Sequence, residues 1–300
     1  MKTHDMLRLL FLSALWGGSF IFIRIAAPVL GPIYLVELRV VVAGLTLLLY
    51  AMATKRPLGL RTHWRAYLVL GAINSAIPFV LISTAELRLT ASTAAVLNAT
   101  SPLFGALIAA IWIHDPFTLR KFIGLVLGIT GVAIVVGLGA LEPGIGLWLA
   151  VIASLTAAFF YGLGSVFTKA RVHGAPMLGL AAGSQLGAGI VLAPLVPFAA
   201  PAAPITLTAL VAALVLALAC TALAYVIYFQ LIANIGPTGT LTVTFLAPVF
   251  GVLWAFLFLH EPITLGSIVG SIVILIAAAF VTGFRIPFKR PSTVGATSES

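Results

Sequence analysis

The chain reads as an all-α integral membrane protein: ten transmembrane helices, arranged as two inverted five-helix repeats around a central cavity. Three observations predict this. The chain is 62% hydrophobic and only 8% charged over its 300 residues, whereas a soluble domain carries about 25% charged residues. Ten apolar runs follow one another, each long enough to cross a bilayer. The stretch IWIHDPFTL at 111–119 returns as LFLHEPITL at 257–265, an offset of 146 residues (260 minus 114).

In order, the runs are roughly 7–27, 33–53, 65–86, 91–113, 121–140, 147–168, 177–199, 207–231, 238–259 and 266–284. The first follows a basic start and resembles a signal peptide at its amino end. It is long enough to span, and further spans follow it, so it reads as the first helix. The connections TKRPLGLRTHWR, HDPFTLRK, GLGALEPG, FTKARVHGAP and AAPAAP are short and carry Gly, Pro and charge. The segment 285–300 is basic, then polar, and is expected to be disordered.

A net charge of +9 raises nucleic-acid binding as a possibility. Here the cations sit in short clusters between apolar runs, as loop charge that sets topology does. With both termini in the cytoplasm, only Arg24, Arg39 and Arg88 of the 16 Lys and Arg fall on the other side. The reading is therefore no nucleic-acid partner, an even number of spans, and a bacterial inner membrane. The single cysteine, Cys220, lies in an apolar stretch, so no disulfide and no cysteine-based metal site can form within one chain. No metal site and no cofactor motif is expected. HExxH, GxSxG and paired carboxylates at a helix centre are all missing, so the chain is not read as an enzyme.

The 146-residue offset extends well past the opening phrase. Pro102 falls on Pro248, Gly105 on Gly251, His114 on His260 and Asp115 on Glu261. At the other end of the unit, Gly18 falls on Gly164 and Ser19 on Ser165. The first repeat is 1–142 and the second 143–284. Five spans is an odd number, so the second unit enters from the opposite face. Inverted repeats are a common plan of secondary transporters. The two His–carboxylate pairs should then lie on opposite faces, as helix ends closed by proline rather than as one catalytic site.

LWGGSFIFIR (15–24) with PIYLVELR (32–39) resembles the opening of a repeat in the drug/metabolite transporter superfamily. The stretches at 91–118 and 237–264 resemble its fourth-helix signature, proline included. The likeness covers about 7–284 and points to the ten-helix, EamA-like branch, most similar to bacterial inner-membrane exporters of amino acids and related metabolites, aromatic ones among them. It implies that the first, third, fourth, sixth, eighth and ninth helices line the cavity. The chain departs from the pattern with His-Asp-Pro in the first half, and with Gln185 where Arg39 stands in the first repeat.

Substrate contacts are sought at mid-helix: Trp16 and Ser19, Asn74 and Phe79, Asn98 and Ser101, Tyr161 and Ser165, Thr221 and Tyr225, Thr244 and Phe245. Small and hydroxyl residues equally serve close helix packing, and Asn74 and Asn98 suit substrate contact and interhelical bonding alike. Gly179, Gly183 and Gly187 are assigned to packing, and Trp64, Tyr67 and Trp148 to interfacial anchoring. Pro102 and Pro248 break the backbone ladder at mid-helix and act as hinges or packing kinks. No span centre carries Asp, Glu, Lys or Arg. Arg39 and Glu37 are expected near the outer end of the second helix, and Glu86 and Arg88 near that of the third. Proton coupling and phosphorylated cargo are thereby disfavoured. The expected function is export of neutral or zwitterionic metabolites, most of all amino acids with bulky side chains, by alternating access in a functional monomer. Alternatives are a proton-coupled drug or metabolite exporter, or a membrane-embedded lipid-handling protein or enzyme.

Overall fold

A computed structural model describes residues 2–137 and 144–282. Among the described residues, ten helices are long and apolar enough to cross a membrane: α1 (Thr3–Leu30), α2 (Pro32–Ala53), α3 (Leu60–Ala85), α4 (Ala91–Trp112), α5 (Leu119–Gly137), α6 (Ile145–Arg171), α7 (Met177–Phe198), α8 (Leu207–Gly236), α9 (Thr242–Leu259) and α10 (Leu265–Thr282). The expected repeat boundary at 142–143 and the segment 285–300 lie outside the described residues. Four spans, α1, α3, α6 and α8, run at least four residues longer than the sequence suggests. Helix α3 begins five residues early, in the basic stretch LRTHWR, and α8 runs on to Gly236, whose φ of 75° breaks the helical path. Gly31, at φ 76°, makes a sharp turn between α1 and α2, directly before Pro32 fixes the first turn of α2.

The 146-residue offset reappears in the backbone. The third helix of each unit carries a π turn at the same place, Ala72–Ala76 in α3 and Leu218–Leu223 in α8. The two repeated phrases end their helices in one way. His114 and His260 both adopt φ 54°. The next amide then turns back, Asp115 to the Ala109 carbonyl at 3.1 Å and Glu261 to the Ala255 carbonyl at 3.2 Å. A left-handed residue followed by such a bond satisfies carbonyls that a helix end leaves open. The phrase is a helix stop used twice.

Packing is close where glycines face a neighbour. A Cβ on Gly17 of α1 would lie 2.5 Å from the Ala247 carbonyl of α9, and one on Gly162 of α6 would lie 2.5 Å from the Gly105 amide of α4. These are the corresponding crossings of the two units. A Cβ on Gly183 of α7 would lie 2.2 Å from the Tyr67 ring. Tyr67 is therefore a correction: it is buried at 2% exposure and donates to the Leu58 carbonyl at 2.8 Å. The glycine row on α7 makes room for its ring, and it is no interfacial anchor. Trp64 and Trp148 remain exposed.

Contacts between helix ends sort the two faces. On the amino-terminal face, Asn234 at the end of α8 donates to Asp5 of α1 at 2.9 Å. On the opposite face, Arg24 near the end of α1 donates to the Glu86 carbonyl after α3, and the Ala203 amide reaches the Val29 carbonyl. Glu261 also lies on that face. Its carboxylate accepts from the Ala91 amide at 2.8 Å, the Ser92 amide at 3.0 Å and the Ser92 hydroxyl at 2.7 Å. Glu261 of the second unit thus caps the first turn of α4 in the first, where helix-end N–H groups lack intrahelical partners. Asp115 turns instead to Lys121, whose Nζ lies 3.0 Å away and holds its carboxyl below the usual carboxylate range.

Candidate functional site

Four helices meet at Arg39. Its place seven residues into α2, about two helical turns below Pro32, puts it inside the bundle, where it is 6% exposed. Its Nε donates to Thr221 Oγ1 in the π turn of α8 at 2.9 Å. Its guanidinium carbon lies 3.8 Å from the centre of the Phe79 ring on α3, a cation–π stack. Tyr161 of α6 packs on Phe79 with centroids 6.3 Å apart, and Tyr161, Tyr225 and Cys220 lie within electrostatic range of the charge. The expectation that Arg39 sits near a helix end, leaving no basic group at the centre, is thus corrected. The side chain turns inward because the π turn presents Thr221 to it. Thr221 keeps a second bond, its hydroxyl donating to the Leu216 carbonyl five residues back at 2.8 Å. Such π turns often coincide with functional sites.

The other unit repeats the bond crosswise. Gln185 of α7 stands 146 residues after Arg39, and Ser75 stands 146 before Thr221. Gln185 Nε2 donates to Ser75 Oγ, in the π turn of α3, at 2.9 Å. Each unit's second helix therefore bonds the π turn of the other unit's third helix. Both ties are buried, Gln185 at 0% and Ser75 at 0% exposure. One tie is neutral and the other carries a charge.

Of the residues expected from sequence, Phe79, Tyr161, Thr221 and Tyr225 gather around Arg39. Ser19 lies beside Cys220, next to this cluster. An aromatic series leads away from it: Tyr225 stacks on Phe229 at 6.0 Å, Phe229 meets Tyr228 at 5.5 Å, and Tyr228 meets Trp16 at 5.4 Å. Asn74 lies in the π turn of α3 against Gly164, where a Cβ would come 2.7 Å from its Oδ1. Other candidates serve their own helices. Ser101 donates to the Asn98 carbonyl at 2.6 Å, Ser165 to the Gly162 carbonyl at 2.8 Å, and Thr244 to the Leu241 carbonyl at 2.7 Å. The Asn98 Oδ1 is buried with no hydrogen-bond partner. Phe245 is half-buried on α9. Pro102 opens the second segment of α4, just past the break at Ala99–Thr100, whereas Pro248 lies inside the continuous helix α9. Ser75, beside Asn74 at mid-helix, is within reach of the search for polar residues in the third helix, whereas Arg39, Gln185 and Glu261 are not among the functional candidates it yields. The signal that would have found Arg39 and Gln185 is their correspondence at one offset.

The fold is that of a ten-helix membrane bundle whose buried polar groups bond crosswise between two similar halves. The EamA-like transporter family matches twice, over residues 6–137 and 148–283. The chain belongs to that family. It is similar to the "Uncharacterized transporter YvbV" of Bacillus subtilis, at 27% identity over 93% of this chain and 92% of that protein. "Protein PecM" of Dickeya dadantii is also 27% identical, over 92% and 91%. A solved structure described only as "Crystal structure of protein" shares the fold, with a TM-score of 0.67, 17% identity, and coverage of 94% and 97%.

Proposed function

We propose that this membrane transporter moves small zwitterionic metabolites, most of all amino acids with bulky or aromatic side chains, by alternating access. The two five-helix units are inverted in the membrane and gate a shared centre from either face. The observation that carries this reading is the pair of crossed ties, Arg39 to Thr221 and Gln185 to Ser75. They join the two units inside the bundle, and inverted-repeat carriers bind their cargo between their units.

A difference between the faces supports the gating. Ala95 of α4 is 1% exposed, whereas Leu241, its counterpart beside α9, is 40% exposed. Ser19 is buried and its counterpart Ser165 is exposed. With Glu261 clamped on α4, the opposite face is shut and the amino-terminal face is the looser one. The transporter acts as a monomer in a bacterial inner membrane, with both termini cytoplasmic and the lipid bilayer as its surroundings, and needs no cofactor. It is a carrier and no enzyme.

The test is counterflow in proteoliposomes with phenylalanine, leucine, a nucleoside, a sugar phosphate and a cationic dye, with and without a pH gradient. Faster exchange of the two amino acids, independent of the gradient, is the expected result. Exchange of the dye alone, and only with the gradient, would replace this reading with a proton-driven drug exporter.

A further inference from the structure

Arg39 has a charge that its structural task does not require. Gln185 makes the equivalent tie with a neutral amide. Arginine stays ionised at any accessible pH, and a buried ion left without a partner is strongly unfavourable. Yet Arg39 makes no ion pair: among the described residues, ion pairs are confined to Asp5 with His4 and Arg8, and to Asp115 with Lys121. Glu86 is the carboxylate close enough to feel the charge, and Arg24 acts on it more strongly. Glu86 is also fully buried, and neither of its oxygens has a hydrogen-bond partner.

The guanidinium carries five N–H donors. Nε is spent on Thr221, and Phe79 covers one face. The two terminal nitrogens have no hydrogen-bond partner among the described residues. Their four N–H groups form the planar fork that matches a carboxylate. Phe79 stacks on the guanidinium, Tyr161 packs on Phe79, and Tyr161 and Tyr225 both lie within electrostatic range of the charge.

Resting on the transporter reading above, we propose that Arg39 is the substrate anchor and that it binds the carboxylate of a monoanionic or zwitterionic solute with an apolar body. The substrate is the missing counter-ion. A single guanidinium balances a single negative charge, so a carboxylate suits it better than a phosphate dianion. The solute's ammonium group, where it has one, is not what selects it.

The repeat supplies its own control. Arg39→Gln places at position 39 the residue that already makes this bond at position 185, so the tie to Thr221 can persist without the charge. Wild type, Arg39→Gln and Arg39→Lys are reconstituted with four probes: phenylalanine, 3-phenylpropionate, phenethylamine and phenyl phosphate. Thr221→Val removes the tie and leaves the charge. Competition against labelled phenylalanine and protection against thermal unfolding in detergent are both read. Wild type should bind and exchange phenylalanine and 3-phenylpropionate, with phenethylamine and phenyl phosphate at least tenfold weaker. Arg39→Gln should elute and melt as wild type does and lose both carboxylates tenfold or more. Arg39→Lys should retain part, and Thr221→Val should keep the preference for carboxylates. Phenethylamine or phenyl phosphate outcompeting 3-phenylpropionate, or wild-type exchange by Arg39→Gln, would overturn the anchor and leave the transporter reading standing. Binding and exchange of none of the four would instead overturn the proposed cargo, and the anchor with it.

Discussion

At residue scale, Arg39 shows how a charge can be misplaced when a span is read alone. An isolated arginine seven residues from a helix start is expected to reach for the membrane surface. The sequence contains the correction only in its repeat: position 39 corresponds to 185 and position 75 to 221, and the bonds cross between these pairs, 39 to 221 and 185 to 75. Seeing that required knowing that the second helix of one unit packs on the third of the other, which no periodicity encodes. The neutral tie has a measurable strength. Gln185→Leu should destabilise by about 0.6 kcal/mol, the average for interhelical hydrogen bonds in membranes, and by no more than about 1.7 kcal/mol, their maximum. Its effect should be non-additive with Ser75→Ala in detergent melts, whereas additive losses would mean the two side chains do not interact. Gly183 is a second test. A branched side chain placed 2.2 Å from the Tyr67 ring must displace it, and overpacking of this kind costs about 1–3 kcal/mol. Gly183→Val should lower the melting point, and Gly183→Val with Tyr67→Ala should recover part of the loss.

At the scale of elements, the helices were the legible part, since about 20 apolar residues flanked by charge have few other solutions in lipid. The π turns were not legible. AINSA and LACTAL share a hydroxyl followed by alanine, Ser75–Ala76 and Thr221–Ala222, but that pair does not mark an extra residue in the helix, and only packing against Arg39 and Gln185 explains why the hydroxyls there point inward. The His–carboxylate–Pro phrase was legible as a helix stop, and the left-handed histidines agree. Its second use, Glu261 as the cap of α4, depends on a contact 169 and 170 residues away in sequence. Removing an N-terminal cap costs about 0.5–2 kcal/mol, enough to shift a balance between two conformations. Glu261→Ala should therefore increase labelling of a cysteine at Ala94 by a membrane-impermeant thiol reagent applied from the face opposite the amino terminus, in a Cys220→Ala background. Unchanged labelling would show that the cap does not hold that face shut.

For the whole molecule, two copies of one unit account for the match of the family to both halves. They also account for the recurrence of the π turns, the helix stops and the ties at one spacing. If the units are inverted, single cysteines at Lys2, Thr54 and His173 should label from one side of the membrane, and at Arg88 and Ala203 from the other. The central claim is that the two faces open in turn, with the contact between Glu261 and Ser92 as the closed gate of one face. The direct test is a disulfide lock. In a Cys220→Ala background, Ser92→Cys with Glu261→Cys is reconstituted, oxidised, and assayed for phenylalanine counterflow before and after reductant. Exchange should stop when the pair is cross-linked and return when it is reduced. Exchange that continues at the same rate with the pair fully cross-linked would contradict alternating access through this gate.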